Sequence, residues 1–113
     1  MAQFEPIREN IKLTRWADWV HIYRKDPRDP DFPVGTTAEV IVTKDDKIGS
    51  PILATWPAED VNTDEISFWV QSEATDVIPD RSVYQLMVHY PPVVDGAEVQ
   101  DWCWYQGGIR RTR

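Results

Sequence analysis

The feature that most constrains this chain is a stretch of strict alternation in its last third, residues 83–90. One side of that stretch, if extended, carries Tyr84, Leu86, Val88 and Tyr90. A period of two with one apolar face is typical of a β-strand that lies on a core. The stretch therefore predicts a strand at the centre of a sheet.

The start of this strand has the spacing Asp80-x-Ser82-x-Tyr84-x-Leu86. This spacing resembles the tyrosine corner of immunoglobulin-like sandwiches, in which the Tyr hydroxyl bonds back to the backbone upstream and fixes the corner. True immunoglobulin domains have a Cys two residues after the Tyr. Leu86 stands there instead, so no disulfide between sheets is expected.

Other segments also show strand patterns, bounded by Pro, Gly or charged turn residues. The predicted strands cover residues 10–14, 16–24, 36–43, 52–56, 65–72 and 99–105. Gly107 and Gly108 are expected to break or bulge the last of them before Ile109. We predict an all-β fold, an immunoglobulin-like antiparallel β-sandwich of about seven strands.

Two segments fall outside the strands. Residues 1–9 show no period and contain Pro6, which predicts an extended N-terminal arm in front of a sandwich of residues 10–113. Residues 73–78 predict one helical turn capped by Ser72, with Ala74 and Val77 on its inner side.

Alternation also assigns faces to the strands. The predicted core consists of Val20, Ile22, Ile66, Phe68, Val70, Tyr84, Leu86 and Val88. The opposite faces then carry large apolar side chains: Trp19, Tyr23, Trp69 and Met87. Aromatic residues and Met are enriched in protein interfaces. These residues are therefore predicted to contact other proteins, unless the chain's own arm and loops cover them. Exposed Trp rings would also suit a platform that stacks on sugars.

The termini add further candidate interface residues. Phe4 and Ile7 lie in the arm, and Arg110, Arg111 and Arg113 form a basic tail. The formal net charge is −7, and residues 32–100 hold twelve acids against Lys44, Lys47 and Arg81. An acidic body repels phosphate backbones, so direct nucleic-acid binding is not expected. A basic tail beside an acidic body allows head-to-tail contact between copies, although a solvated basic end explains the tail equally well.

Composition also bears on compartment and on membranes. No apolar run approaches the roughly 20 residues that a membrane helix needs, so no membrane insertion is expected. The first residues lack the basic start and apolar stretch of a signal peptide. Cys103 is the only cysteine, which excludes an internal disulfide and fits a reducing compartment.

Catalytic and metal sites are poorly supported. Cys103 with His21 or His89 is the only possible nucleophile and base, and the sequence around Cys103 resembles no nucleophile turn. The acidic run at residues 59–65 lacks the Gly and Glu positions of a calcium loop. We therefore predict no catalytic residue, no metal and no cofactor.

Five segments, in order, carry a family resemblance. They are Leu-Thr-Arg-Trp-Ala-Asp-Trp-Val at 13–20, Phe-Pro-Val-Gly-Thr-Thr-Ala-Glu-Val at 32–40, Ala-Thr-Trp-Pro-Ala at 54–58, Tyr-Gln-Leu-Met-Val-His-Tyr-Pro at 84–91 and Trp-Cys-Trp-Tyr-Gln-Gly at 102–107. Together they resemble the small LtfC-like β-sandwich proteins of tailed actinobacteriophages, usually called minor tail proteins. They are also similar to immunoglobulin-like domains of siphophage baseplates. The resemblance covers about residues 11–110.

The resemblance implies a structural virion component, made in the host cytoplasm and carried in the tail. It implies no enzymatic activity and no cofactor, with other phage tail or baseplate proteins as partners. Because ring-forming tail parts repeat around an axis, a homo-oligomeric ring is expected. A carbohydrate-binding adhesin domain, a head–tail junction protein and a capsid-surface protein stay open as alternatives.

Overall fold

A computed structural model describes residues 6–91 and 100–112 of the chain. These residues form nine strands and one short helix. In chain order the elements are β1 Ile7–Arg8, β2 Ile11–Thr14, β3 Trp19–Arg24, β4 Thr37–Thr43, β5 Ile52–Pro57, β6 Asp60–Val61, β7 Glu65–Val70, α1 Ser72–Thr75, β8 Val83–Tyr90 and β9 Gln100–Thr112.

The strands form two sheets that pack as a sandwich, which confirms the predicted fold class. The larger sheet has the order β1-β9-β8-β4-β5, and β2 pairs with a later part of β9. The smaller sheet has the order β3-β7-β6. Strand β8 lies between β9 and β4, so its predicted central position is confirmed. Both β1 and β2 run parallel to β9, whereas the other pairs are antiparallel.

The core lies between the two sheets. Predicted core positions on β7 and β8 are confirmed, since Ile66, Phe68, Val70, Tyr84, Leu86 and Val88 are all buried. Val40 and Val42 of β4 and Ile11 and Leu13 of β2 belong to the same cluster. On these strands the alternate positions are mostly polar, with Ile41, Trp69 and Met87 among the apolar exceptions, so one face is the better one to bury.

The orientation predicted for β3 is wrong. Trp19 and Tyr23 are 8% and 3% exposed, whereas Val20 and Ile22 are 61% and 45% exposed. Trp19 packs with ring-centroid distances of 5.8 Å to Trp56 and 5.6 Å to Phe68. Both faces of β3 are apolar, and the face with the two larger rings removes more surface from water when buried.

The hydroxyl of Tyr84 bonds to the backbone as expected, but not at the predicted corner. It donates to the carbonyl oxygen of Glu9 at 2.6 Å, on the segment between β1 and β2. The corner itself is fixed by the Ser82 hydroxyl, which donates to the Pro79 carbonyl at 2.8 Å. In addition, the Ile109 amide donates to the Ser82 carbonyl at 2.7 Å.

Strand β9 does not break at its glycines. The ladder with β8 is continuous there and shifts instead at Trp104, between the pairs Leu86–Tyr105 and Met87–Cys103. This bulge allows the consecutive Trp104 and Tyr105 both to pack against the core. Gly107 serves a different purpose, because a Cβ atom there would overlap the Glu9 carbonyl.

The helical turn is present, but its predicted faces and cap are wrong. Thr75 is buried, whereas Ala74 and Val77 are exposed. Ser72 is the first helical residue and not the cap. Its amide donates to Asp18 Oδ1 at 2.9 Å, so a side chain from a distant loop satisfies this helix end.

Candidate functional site

The predicted arm pairs with its own chain where the structure describes it. Ile7 and Arg8 form β1, which lies beside Tyr105 and Gln106 of β9. Ile7 keeps an exposed side chain. Phe4 lies outside the described residues. The described end of the arm thus adds a strand to the larger sheet of the same molecule.

The outer face of the smaller sheet carries three exposed apolar side chains, Val20, Ile22 and Trp69, which we call the apolar patch. Trp69 is 58% exposed and stands opposite Val20 in the ladder. Ile22 follows on the same face of β3. Trp69 lies on the outer face as predicted. Val20 and Ile22 were missed because alternation alone cannot orient a strand that is apolar on both sides.

Hydrogen bonds hold the polar groups around the patch in place. Asp18 Oδ2 accepts the indole N–H of Trp69 at 2.8 Å, while its other oxygen holds the α1 amide. At the opposite end Arg24 pairs with Glu65 across the ladder. This pairing lowers the pKa of Glu65, chiefly through the hydrogen bond from Arg24. The Trp69 ring is therefore presented to solvent in a fixed position.

The predicted outer position of Tyr23 is wrong, because Tyr23 is buried beside Tyr105 at a ring-centroid distance of 4.6 Å. Burial is the largest cause that raises the pKa of Tyr23, and a hydrogen bond with Tyr84 adds to it. Burial likewise raises the pKa of Tyr84 to about 12. Tyr23 and Trp19 consequently belong to the core and cannot contact a partner.

The outer face of the larger sheet has a different character. Met87 is only half-buried there, between Glu39 of β4 and Cys103 of β9 in the ladders. Beside it His89 Nδ1 lies 2.7 Å from Asp101 Oδ1, and its Nε2 lies 3.6 Å from Glu39 Oε2. The hydrogen bond with Asp101 raises the pKa of His89, against the opposing effect of burial.

Cys103 has the environment of a packed thiol. Its Sγ donates to the Tyr105 carbonyl at 3.4 Å. Burial raises its pKa, which keeps it protonated and weakly nucleophilic. Its cross-strand neighbour is Met87, and the nearby His89 is already engaged by two carboxylates. The geometry therefore offers no activated nucleophile at this position.

The predicted basic tail divides into residues with different roles. Arg111 is turned inward, where its guanidinium donates to the Thr75 carbonyl at 2.7 Å and lies 3.4 Å from Asp76. Its contribution is to hold α1 on the end of β9, so its predicted exposure to partners is wrong. Arg110 is exposed. Arg113 lies outside the described residues.

Arg110 is part of a larger basic feature that sequence reasoning missed. It pairs with Lys12 of β2, and Arg8 of β1 lies along the same edge of β9. All three side chains are exposed, and alternation directs them to the outer face of the larger sheet. We call these three residues the basic strip. None of them forms an ion pair with another described residue. The hydrogen bond from the Arg111 amide is the largest cause that lowers the pKa of Asp80, and the charge of Arg110 adds to it.

A polar cleft of about 470 Å³ opens beside the basic strip. Its walls include Arg8, Glu9, Asn10, Asp46 and Gln106, and none of the described residues that line it is aromatic. Across residues 6–91 and 100–112, no group of three or more His, Cys, Asp or Glu side chains could hold a metal ion. In the same ranges no helix is long and apolar enough to cross a membrane.

Comparison with known protein families identifies this domain. A search of curated proteins finds no match. The family model described as "LtfC-like, beta-sandwich domain" matches residues 5–112. This match covers both sheets, the apolar patch and the basic strip. The chain therefore belongs to the LtfC-like family of β-sandwich domains, a phage-tail-related family.

Proposed function

We propose that this protein is a structural component of a tailed bacteriophage particle, a minor tail or baseplate protein that works by binding other tail proteins. It has no catalytic activity in this proposal and is carried in the virion. The observation that carries the proposal is the apolar patch, exposed on a domain of a phage-tail-related family.

The patch has the properties of a binding surface. Val20, Ile22 and Trp69 stand on neighbouring strands and are each at least 45% exposed. Single exposed apolar residues are common on monomers, whereas grouped ones mark interaction sites. Trp is among the residues that contribute most to interface energies. The fixed indole lowers the entropy lost on binding, because its side chain is already ordered.

The environment of Cys103 supports a role without catalysis. An enzyme that used this thiol would need it deprotonated near neutral pH, and burial acts in the opposite direction. A thiol reagent is therefore expected to label Cys103 slowly in the folded protein and rapidly after denaturation. Fast labelling of the folded protein would contradict this part of the proposal.

The proposal is tested in purified particles of the phage that encodes the chain. We expect mass spectrometry to detect the protein in the particles, and gold-labelled antibody to mark the tail. A phage that carries Trp69→Thr should assemble particles with much less of the protein. The control is Val34→Thr, since Val34 is fully exposed in a loop outside the patch. Absence of the wild-type protein from particles would refute the proposal.

One observation favours a second function, binding of carbohydrate on the host surface. The carboxylate of Asp18 lies at the edge of the exposed Trp69 ring. Gln71, which is also exposed, lies two residues after Trp69, just beyond the end of β7. An aromatic ring beside polar groups can stack on a sugar and bond its hydroxyls. Saturable binding on a glycan array, lost in Trp69→Thr, would support this function. Its absence at millimolar sugar would remove it.

A further inference from the structure

We propose that the apolar patch of one molecule binds the basic strip of a second copy, so that copies associate head to tail. The inference rests on the proposed assembly function and names the partner of the same surface. It is argued from charge, from the chemistry of the exposed Trp, and from the placement of the two surfaces on opposite sides of the sandwich.

The two surfaces carry opposite charge. The outer face of the smaller sheet holds the carboxylates of Asp18, Asp60 and Glu65 against the single guanidinium of Arg24. The basic strip holds three cations that form no ion pair with a described carboxylate, although Glu9 and Asp46 line the cleft beside Arg8 and the charge of Arg110 acts on Asp80. In a chain of net charge −7, an exposed strip of three unpaired cations is a surface that an acidic partner attracts.

The exposed Trp69 suits a cationic side chain. Cations bind over the faces of Trp rings, and a carboxylate at the ring edge adds a second attraction. Asp18 supplies that carboxylate, because it holds the indole N–H at 2.8 Å. The protein already contains such a contact, since Arg15 Cζ lies 4.6 Å from the centroid of the Trp16 ring.

The apolar parts of the surfaces also match. The stems of Lys12 and Arg110 lie side by side on β2 and β9, and long basic side chains can cover apolar surface with their stems. They can cover Val20 and Ile22 while their charged ends reach the carboxylates at the rim. Burial of the patch and neutralisation of the rim would then occur in one contact.

Placement makes the contact intermolecular. The patch lies on the outer face of the smaller sheet and the basic strip on the outer face of the larger sheet. A single molecule cannot bring its two outer faces together. A contact between two different surfaces leaves one of each free at the ends, so it propagates into a ring or a filament.

The test uses three variants of the whole chain, each first checked for a wild-type melting curve. The patch variant is Val20→Thr with Trp69→Thr, and the strip variant is Lys12→Glu with Arg110→Glu. The control is Lys44→Glu with Lys47→Glu, which makes the same charge change on exposed residues of the β4–β5 turn. The mass of each protein is measured by light scattering behind a sizing column over a range of concentrations.

We expect the wild type and the control to form oligomers whose mass grows with concentration. The patch variant and the strip variant should each weaken association roughly tenfold or more. An equimolar mixture of these two variants should restore a dimer and nothing larger, because one intact patch then meets one intact strip. That restoration distinguishes a contact between two different surfaces from one in which a surface meets itself.

Three results would overturn the inference. They are a wild-type protein that stays monomeric at every concentration, a control that loses association as fully as the strip variant, or a mixture that stays monomeric. If the wild type is monomeric but particles lose the protein on Trp69→Thr, the patch binds another tail protein and the proposed function stands. If particles lack the protein altogether, the proposed function fails whatever the solution mass.

Discussion

The two outer faces of the sandwich differ in how they satisfy their own side chains. On the larger sheet, His89 lies between Asp101 and Glu39, and Met87 is half-buried beside them. On the smaller sheet, Val20 and Trp69 face solvent, with Ser67 opposite Ile22 and the carboxylates of Asp18 and Glu65 at the two ends. The β8–β4 part of the first face is thus satisfied within the molecule and leaves only the basic strip at the β9 edge unpaired, whereas the second face leaves apolar area available to a partner.

This difference teaches where to look for function in a domain without a catalytic centre. Side chains with partners in their own chain contribute to folding stability, and their removal should be visible in denaturation. Side chains of the apolar patch should matter for association and little for stability. The predictions below separate these two kinds of contribution, in order of expected effect.

The largest effect should come from the inner face of β3. Trp19→Ala should lower the free energy of unfolding by about 3–5 kcal/mol, because it leaves a cavity against Trp56 and Phe68. Ile22→Thr, on the outer face of the same strand, should change it by about 0.5 kcal/mol or less. Urea denaturation measures both. If the two substitutions lowered the free energy of unfolding equally, the outer face of the smaller sheet would be as tightly packed as its inner face. The contrast with the larger sheet would then be lost.

The next effect concerns Tyr84, which joins the larger sheet to the N-terminal segment. Tyr84→Phe should cost about 1–2 kcal/mol, because the Glu9 carbonyl loses its donor. Tyr90→Phe is the control, since its hydroxyl makes no hydrogen bond with another described residue. A smaller loss for Tyr84 than for Tyr90 would show that the Glu9 bond does not anchor this segment.

Alkaline pH should weaken the same anchor. The pKa of Tyr84 is raised by burial to about 12, so the folded state favours the protonated hydroxyl. Its contribution to stability is complete below the ordinary Tyr pKa of about 10 and falls as pH rises from there to about 12. Stability measured between pH 9 and pH 12 should therefore fall less steeply in Tyr84→Phe than in the wild type.

A smaller effect is expected from His89 on the outer face of the larger sheet. Its pKa is raised, first by the hydrogen bond with Asp101 and then by the charges of Asp101 and Glu39. The stability that it contributes is complete below pH about 6.5 and is lost as pH rises through the folded-state pKa. We expect a difference of about 1 kcal/mol or less between pH 5.5 and pH 8.5, which disappears in His89→Gln. An unchanged pH dependence in the variant would show that this face is not stabilised by His89.

The smallest effect on stability should come from the apolar patch. Val20→Thr keeps a β-branched side chain and should change the free energy of unfolding by about 0.5 kcal/mol or less. The same substitution should weaken association in light scattering. A stability loss above 1 kcal/mol would show that Val20 is packed within its own molecule and would end the contrast between the two faces.

The sequence predicts the buried face well for strands that have one apolar face and one mostly polar face. On β7 and β8 the alternation identifies both the strand and its buried side, because one orientation removes three apolar side chains of each strand from water and leaves mostly polar ones outside. On β3 it identifies the strand and not the side. The choice of Trp19 over Val20 depends on Trp56 and Phe68, which come from other strands.

The candidate surfaces depend still more on the tertiary structure. Trp69 could be identified from sequence as an outward residue, whereas the basic strip could not, because Arg8, Lys12 and Arg110 meet only when β1 and β2 pair with β9. Arg111 stands next to Arg110 in sequence, yet it is held by α1. The sequence by itself determined the all-β class, the main strands and the family. The tertiary structure decided which face of β3 is buried and which charges lie together, because both follow from contacts between segments far apart in the chain.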